Sequence, residues 1–185
     1  ERFFIEVHPV TNGQYAEFLQ AEGGLPPELW SRAEAPAGLE KHPVVGVTLE
    51  DAQRYAAWKG RRLPTSTEWE LAARGLDGRR FPWGDDWDDE HCHCMGSKPR
   101  GVVPIKSYPG GRSPCGCHDL IGNVWEWTVA DSTIPEPEPE YSWVYGGSYR
   151  HKGHKQGKIA RTSVARSNAY DYLGFRCVVD GDRYR

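Results

Sequence analysis

The second half of the chain has no helical pattern, and this limits its fold more than any other feature. Across residues 80–185 short apolar runs are separated by glycines, and five of the eight tryptophans lie here. Apolar runs of this length, bounded by turn residues, are typical of strands and long loops. Alternating proline and glutamate at residues 134–140 exclude a central strand there and predict an exposed, extended insertion. We therefore expect a second half built from strands and loops.

Three helices are predicted within the first 75 residues, where apolar residues recur at helical spacing. The first opens at residues 10–12. The second opens at Thr48, with Asp51 in its first turn, where the helix dipole favours an anion. The third opens at Thr65, and Glu68 stands at the spacing of a capping box.

Length and hydropathy favour one domain over residues 1–185, with short strands predicted at residues 3–7 and 44–47. A chain of 185 residues can bury roughly 70% of its unfolded surface. No apolar run approaches the roughly eighteen residues of a membrane span and no basic-then-apolar leader opens the chain, so we expect neither a membrane span nor a retained signal peptide. The first residue is Glu1 rather than Met, which indicates a processed or truncated form.

Charge is nearly balanced overall but not locally. With 23 Lys+Arg against 26 Asp+Glu the net charge is −3, which excludes a dominant nucleic-acid-binding surface. Residues 150–166 nevertheless carry six basic residues, two histidines and no acid, and residues 167–172 add Ser, Asn and Tyr side chains. Binding loops favour that mixture, because tyrosine offers contact area at low entropic cost. The segment is interpreted either as a recognition surface or as a solvated charged face.

Several motifs follow one another in an order that resembles the formylglycine-generating-enzyme, or sulfatase-modifying-factor, family. The resemblance covers the chain from about residue 3 to residue 179. It implies an α+β fold, a variant of the C-type lectin fold in which a few helices flank a small, twisted antiparallel sheet and long loops carry the function. The motifs are Pro-Val-Val-Gly-Val at 43–47, Glu-Asp-Ala at 50–52, Arg-Leu-Pro-Thr at 62–65 with 68–75, Phe-Pro-Trp-Gly-Asp at 81–85, Gly-Asn-Val-Trp-Glu-Trp at 122–127, Gly-Gly-Ser-Tyr at 146–149 and Gly-Phe-Arg at 174–176.

The tryptophans and arginines of these motifs are expected to be scaffold. A tryptophan buries a large apolar body while its N–H requires a partner, which suits a loop-rich core. An arginine in such a motif can clamp loop carbonyls with its fork of donors. These scaffold residues are Trp69, Trp83, Trp125, Trp127, Arg74 and Arg176.

The resemblance implies no copper site. Copper-using members of the family carry two cysteines, five positions apart, directly after the Gly-Gly-Ser-aromatic motif, and Cu(I) prefers such sulfur ligands. Residues 149–158 contain no cysteine, and His151 and Gln156 stand near the two positions. His151 and His154, at i and i+3, either hold a metal in a helical loop or are ordinary surface histidines.

A noncatalytic branch with this fold is similar in the same region: the variable proteins of diversity-generating retroelements, whose ligand-binding residues lie between the Gly-Gly-Ser-aromatic and Gly-Phe-Arg motifs. The resemblance thus implies a noncatalytic domain that binds a protein or another macromolecule through residues 149–172. Nucleic acid is an unlikely partner. The alternative is a formylglycine-generating-type oxidase with a relocated metal site. The expected ligand-binding residues are Tyr149, Arg150, His151, Lys152, His154, Lys155, Ser167, Asn168, Tyr170, Asp171 and Tyr172.

The resemblance also implies a structural calcium site at residues 119–126. By position, its ligands are the carboxylates of Asp119 and Glu126 and the carbonyls of Gly122 and Val124, a hard-oxygen set that suits Ca²⁺. The alternative is that both carboxylates cap loop N–H groups.

Four of the five cysteines form two Cys-x-Cys pairs, which the family does not usually show. Cys92 and Cys94 make the first pair, and Cys115 and Cys117 make the second. Four thiolates could bind zinc, the two pairs could be joined by disulfides, or all four could be buried thiols. Cys177 lies in an apolar run and is expected to be a core thiol.

Overall fold

The computed structural model describes residues 2–135, 137–155 and 158–181. Its α-helices are α1 (Asn12–Glu22), α2 (Leu49–Trp58) and α3 (Ser66–Arg74), and short 3₁₀ turns follow at Asp89–His91 and Pro109–Gly111. All three predicted helix starts are confirmed. Each helix begins with a reciprocal capping box. The side chain of the N-cap threonine accepts from the backbone N–H of the residue three positions later, and the side chain of that residue accepts from the threonine N–H.

The strands are short and lie mostly in the second half of the chain, as the glycine-punctuated pattern predicts. Their bounds are β1 (Phe3–Ile5), β2 (Trp125–Trp127), β3 (Tyr141–Tyr145), β4 (His154–Lys155), β5 (Lys158–Ile159), β6 (Arg161–Ala165), β7 (Leu173–Gly174) and β8 (Val178–Asp180). The central sheet has the order β6-β3-β2-β7, while β1 pairs with β8 and β4 pairs with β5.

The expected fold class, α+β with few helices beside a small sheet, is confirmed. The sheet is antiparallel except for one pair: β7 runs parallel to β2, with Trp125 opposite Leu173 and Glu126 opposite Gly174. This parallel pair places the end of the predicted recognition segment directly beside the Trp-Glu-Trp motif.

The predicted strand at residues 44–47 is wrong. Val44 donates its N–H to the carbonyl of Val10, and Gly46 donates to the carbonyl of Tyr170. Because these partners belong to two different segments, no continuous ladder forms, although Val44 and Val47 are fully buried. The predicted strand at residues 3–7 forms over its first three residues.

One buried ion pair ties the scaffold together. Arg176 donates from Nε and Nη2 to the two carboxylate oxygens of Glu126, at 2.7 Å each, and its remaining donors reach the carbonyls of Glu6 and His118. Trp69 Nε1 donates to the same carboxylate at 2.7 Å. The scaffold role predicted for Arg176 and Trp69 is thereby confirmed, and β1, α3 and β2 are fixed relative to one another.

The other predicted scaffold residues also have partners. The indole N–H groups of Trp83 and Trp127 donate to the backbone carbonyls of Asp86 and Val47 respectively. Arg74 donates to the carbonyl of Gly78. Within the described residues, no helix combines the length and apolar character that crossing a membrane requires.

Candidate functional site

A cleft of about 390 Å³ opens beside the central sheet, and we call it the aromatic cleft. It lies where β2, β6 and the segment leading into β7 meet the turn before β4. Side chains from all four parts form its walls. They are Trp125, His151, Lys152, His154, Ala160, Arg161, Thr162, Val164, Tyr170, Tyr172 and Leu173.

The aromatic walls of this cleft hold one another in place. Tyr170 and Tyr172 stack with ring centroids 5.1 Å apart and planes 10° apart. His151 meets the edge of Tyr172 at 5.1 Å and of Trp125 at 5.7 Å. Edge and stacked contacts of this kind favour fixed orientations, so the walls are preorganised rather than assembled on binding.

His151 is held as a neutral ring. Trp125 Nε1, which can only donate, lies 3.1 Å from His151 Nδ1, and Ser148 Oγ lies 2.7 Å from the same nitrogen. Nδ1 therefore acts as an acceptor, which leaves the proton on Nε2. Burial, reinforced by the positive charge of Arg150, lowers the pKa of His151 below its ordinary value.

His154 contributes a second polar group to the cleft. Its ring packs against Trp87 with centroids 4.3 Å apart, and its buried Nδ1 has no hydrogen-bond partner among the residues that the structure describes. The residue begins β4, so the helical loop that would place His151 and His154 on one metal does not form. A metal site in a helical loop, one of the two interpretations of these histidines, is therefore wrong.

A second cleft of about 640 Å³ is lined by cationic side chains, and we call it the basic cleft. Arg150 lines it and also lies over the Tyr172 ring of the aromatic cleft, 5.4 Å from the ring centroid. Arg150 pairs with Asp171 and donates to the Tyr149 hydroxyl at 2.8 Å. The two clefts are therefore neighbours, and Arg150 connects them through its contact with Tyr172. The basic cleft is lined by Met95, Gly96, Ser97, Lys98, Arg100, Gly101, Tyr149 and Arg150.

Most residues expected to bind ligand line one of these clefts. His151, Lys152, His154, Tyr170 and Tyr172 line the aromatic cleft, and Tyr149 and Arg150 line the basic cleft. Asp171 lines neither cleft, but it pairs with Arg150 and accepts from the Tyr149 hydroxyl at 3.3 Å. Asn168 donates to the Tyr170 hydroxyl at 2.7 Å, and exposed Ser167 lines neither cleft. The Lys155 side chain and Gln156 lie outside the described part of the chain.

The basic run is less available than its sequence implies. Arg161 lies over the Trp143 ring at 4.4 Å, Arg166 donates to the Tyr141 carbonyl at 2.9 Å, and Arg150 is paired as above. These contacts hold the arginine side chains against the sheet and the loop, and Asp171 offsets the charge of Arg150.

Sequence reasoning missed two contributions to the site. The sequence predicts Trp125 as scaffold alone, yet Trp125 also lines the aromatic cleft. Residues 95–101 supply Lys98 and Arg100 to the basic cleft from a position about fifty residues earlier in the chain. No local pattern marks that segment as a partner of residues 149–150.

The two carboxylates predicted by position as calcium ligands have protein partners. Both Glu126 oxygens accept from Arg176, and one also accepts from Trp69. Asp119 Oδ2 accepts from the Lys106 N–H at 2.8 Å, and burial raises the Asp119 pKa. A guanidinium already neutralises Glu126, so this residue does not fit a calcium ion. The calcium site stays a prediction.

The structure pairs the cysteines within each motif. Cys92 and Cys94 are buried with their sulfurs 3.2 Å apart, and the Cys115 and Cys117 sulfurs are 3.5 Å apart. All five cysteines are free thiols. The described residues contain no group of three or more His, Cys, Asp or Glu side chains that could hold a metal, so the four-thiolate zinc arrangement is not assembled. Cys177 is fully buried, as expected.

The match to a known family decides where this chain belongs. The family model described as the sulfatase-modifying factor enzyme 1-like domain matches residues 1–181. The chain is a member of that family. Among relatives, the inactive C-alpha-formylglycine-generating enzyme 2 of Bos taurus is 35% identical over 158 residues, which cover 76% of this chain and 51% of that protein. The formylglycine-generating enzyme of Streptomyces coelicolor is also 35% identical, over 83% of this chain and 59% of the enzyme.

Solved structures support the fold of this sulfatase-modifying factor domain. PvdO from Pseudomonas aeruginosa matches with a TM-score of 0.75 at 24% identity, over 95% of this chain and 79% of that chain. Treponema denticola variable protein 1 matches with a TM-score of 0.68 at 16% identity, over 95% and 84%. The expected resemblance to the formylglycine-generating-enzyme family is confirmed, and the fold is shared with the variable protein. The chain spans about half the length of the bovine relative, and the relatives include both an inactive protein and an enzyme.

Proposed function

We propose that this chain is a noncatalytic recognition domain that binds an acidic, aromatic-bearing polypeptide segment across the aromatic and basic clefts. The observation that carries the proposal is the cleft pair itself, in which preorganised aromatic walls adjoin a cationic surface. The inactive bovine relative and the fold shared with a variable protein support a binding role.

The aromatic cleft suits a side chain with a flat or apolar body. Trp125, Tyr170 and Tyr172 offer ring surfaces, and tyrosine and tryptophan are the residues that most often anchor bound partners. His151 offers an Nε2–H donor. A ligand that carries both a ring and a hydrogen-bonding group satisfies these features together.

Electrostatics favour an acidic ligand. The lining residues of the aromatic cleft include Lys152 and Arg161, those of the basic cleft include Lys98 and Arg100, and neither lining contains Asp or Glu. Complementary charge steers association and fixes orientation. Because Arg150 lines the basic cleft and contacts Tyr172 of the aromatic cleft, an extended chain that fills one can continue into the other.

The test is selection of peptides from a phage-displayed random library on the immobilised protein. We expect selected peptides to be rich in Asp, Glu and aromatic residues, and to lose binding to the Tyr170→Ala/Tyr172→Ala variant. Tyr141→Ala, which removes an exposed tyrosine that lines neither cleft, is the matched control and retains binding. Lys152→Glu changes an exposed side chain and tests the cleft if the double variant does not fold. Peptides that bind every variant equally, or no enrichment at all, would overturn the proposal.

The enzymatic alternative makes a separate prediction. A formylglycine-generating-type oxidase with a relocated metal site must consume oxygen when given a cysteine-containing peptide and added copper or iron. The recognition proposal expects no consumption above a protein-free control. Steady turnover would replace it with the enzymatic function.

A further inference from the structure

We propose that Cys115 and Cys117 form a thiol–disulfide exchange site that reduces a peptide or small-molecule disulfide bearing an apolar group. The pair lies apart from both clefts, at the mouth of a groove beside α3 and β1. The proposed binding function does not require this pair. A failure of the exchange reaction therefore leaves the binding proposal unchanged, and the reverse also holds.

The sulfurs are placed for exchange by a tight turn. Ser113 and Cys117 are joined by a backbone hydrogen bond of 2.9 Å, and Gly116 at its apex has a φ of +91°, a conformation that favours glycine. The turn holds the two sulfurs 3.5 Å apart. A disulfide needs about 2.05 Å, so closure requires only a small further approach.

The two thiols differ in exposure, which assigns their roles. Cys115 is exposed, whereas Cys117 is 1% exposed. As a thiol, Cys115 donates to the Ala72 carbonyl at 3.2 Å and to the Cys117 sulfur at 3.5 Å. When Cys115 loses its proton, the Ser113 hydroxyl, 3.2 Å from the sulfur, and the Cys117 thiol can turn to donate to the thiolate. Attack by a thiolate on an outside disulfide therefore falls to Cys115, and Cys117 is the resolving thiol.

A groove beside Cys115 can accept the apolar part of the substrate. It has a volume of about 740 Å³, and its walls include Phe3, Ile5, Leu71, Leu76 and Pro114. Leu76 is 97% exposed, so this apolar surface lies open to solvent. Its position next to an exposed thiol matches a disulfide flanked by apolar side chains.

The reaction balances without any further reagent. The Cys115 thiolate attacks one sulfur of the substrate disulfide, forms a mixed disulfide and releases the other sulfur as a thiolate. Cys117 gives its proton to that departing thiolate and attacks the Cys115 sulfur, which breaks the mixed disulfide and releases the second substrate thiol after it takes a proton from water. The substrate disulfide is reduced to two thiols, and the protein dithiol is oxidised to a Cys115–Cys117 disulfide.

The chain contains its own matched control. Cys92 and Cys94 have the same spacing, and their sulfurs are 3.2 Å apart, but both are buried against Ile121, Trp83 and Trp87. If reactivity depended on the sulfur–sulfur distance alone, the two pairs would react at similar rates. The proposal expects reaction at the exposed pair only.

The experiment treats the fully reduced chain with oxidised glutathione and follows the intact mass and the peptide map. In the wild type we expect a disulfide within the peptide that holds Cys115 and Cys117. Cys117→Ser should accumulate a glutathione adduct on Cys115, and Cys115→Ser should lose the reaction, while Cys92→Ser/Cys94→Ser keeps it. An aromatic disulfide, 4,4′-dithiodipyridine, tests the groove. The ratio of its reaction rate to that of oxidised glutathione should be larger for the protein than for free cysteine.

The outcomes that overturn the proposal are specific. Adducts that form on Cys92, Cys94 or Cys177 as fast as on Cys115 would contradict it, and so would a disulfide between the two Cys-x-Cys pairs. If a serine variant fails to fold, differential alkylation of the wild type still reports which thiols react first.

Discussion

Trp125 donates its indole N–H to Nδ1 of His151 over 3.1 Å, and this bond sets the protonation state of the aromatic cleft. Because an indole nitrogen cannot accept, a proton on Nδ1 would place two donors against each other. The neutral ring with its proton on Nε2 is thus part of the folded structure. This links the Trp-Glu-Trp motif of the scaffold directly to the candidate binding site.

The first prediction concerns pH. Burial and Arg150 lower the His151 pKa in the folded chain, so the unfolded chain takes up this proton first as pH falls. The ring's contribution to stability is complete above about pH 6.5 and decreases below it until the folded ring also titrates. We expect the free energy of unfolding to fall less in His151→Gln than in the wild type between about pH 7.5 and about pH 5.5.

Urea denaturation at the two pH values measures this difference. His42 and His118 also have pKa values lowered by burial, but they contribute equally to both proteins. The difference between wild type and variant therefore isolates His151. Identical pH dependence in the two proteins would show that the ring is not held neutral.

The second prediction concerns the buried ion pair. Arg176→Met leaves the Glu126 carboxylate buried without its charge partner, which costs about 3–5 kcal/mol. The control is Asp180→Asn, which removes one partner of Arg62; the Asp180 side chain is 52% exposed, and such surface pairs contribute about 1 kcal/mol or less. Denaturant unfolding compares the two. Similar losses would mean that the Arg176 pair does not fix the scaffold.

The third prediction concerns calcium. Since Arg176 and Trp69 occupy the Glu126 carboxylate, we expect Tm to be unchanged when the protein is dialysed against a chelator and when calcium chloride is then added. Scanning calorimetry measures Tm of the chelator-treated and of the calcium-treated protein. A rise in Tm that appears with calcium and not with magnesium would instead support the calcium ligands that the family resemblance implies.

The helices could be predicted from the sequence because their signals are local. A threonine N-cap and the residue three positions later fix each start, so Thr48 with Asp51 and Thr65 with Glu68 need no tertiary information. The C-type-lectin-like fold followed from the resemblance rather than from any local pattern. The strand predicted at residues 44–47 is wrong because its signal is not local. Whether a strand forms there depends on which distant backbone groups accept its N–H groups, and these belong to two different segments.

The site could be predicted only in part, for the same reason. Residues 151 and 170–172 were found because they share one compositional segment. The contacts of its arginines could not be predicted, because Arg150, Arg161 and Arg166 are held by Asp171, Trp143 and Tyr141, whose positions depend on the sheet register. The contribution of residues 95–101 arises only when the chain folds back on itself.

The most direct measurement of the recognition site is amide chemical-shift mapping of a selected acidic peptide on the isotopically labelled chain. We predict that the shifts concentrate at residues 151–154, 160–164 and 170–173, with a second group at residues 95–101. Shifts confined to the groove beside Cys115, at residues 3–5 and 71–76, would contradict a binding site formed by the aromatic and basic clefts.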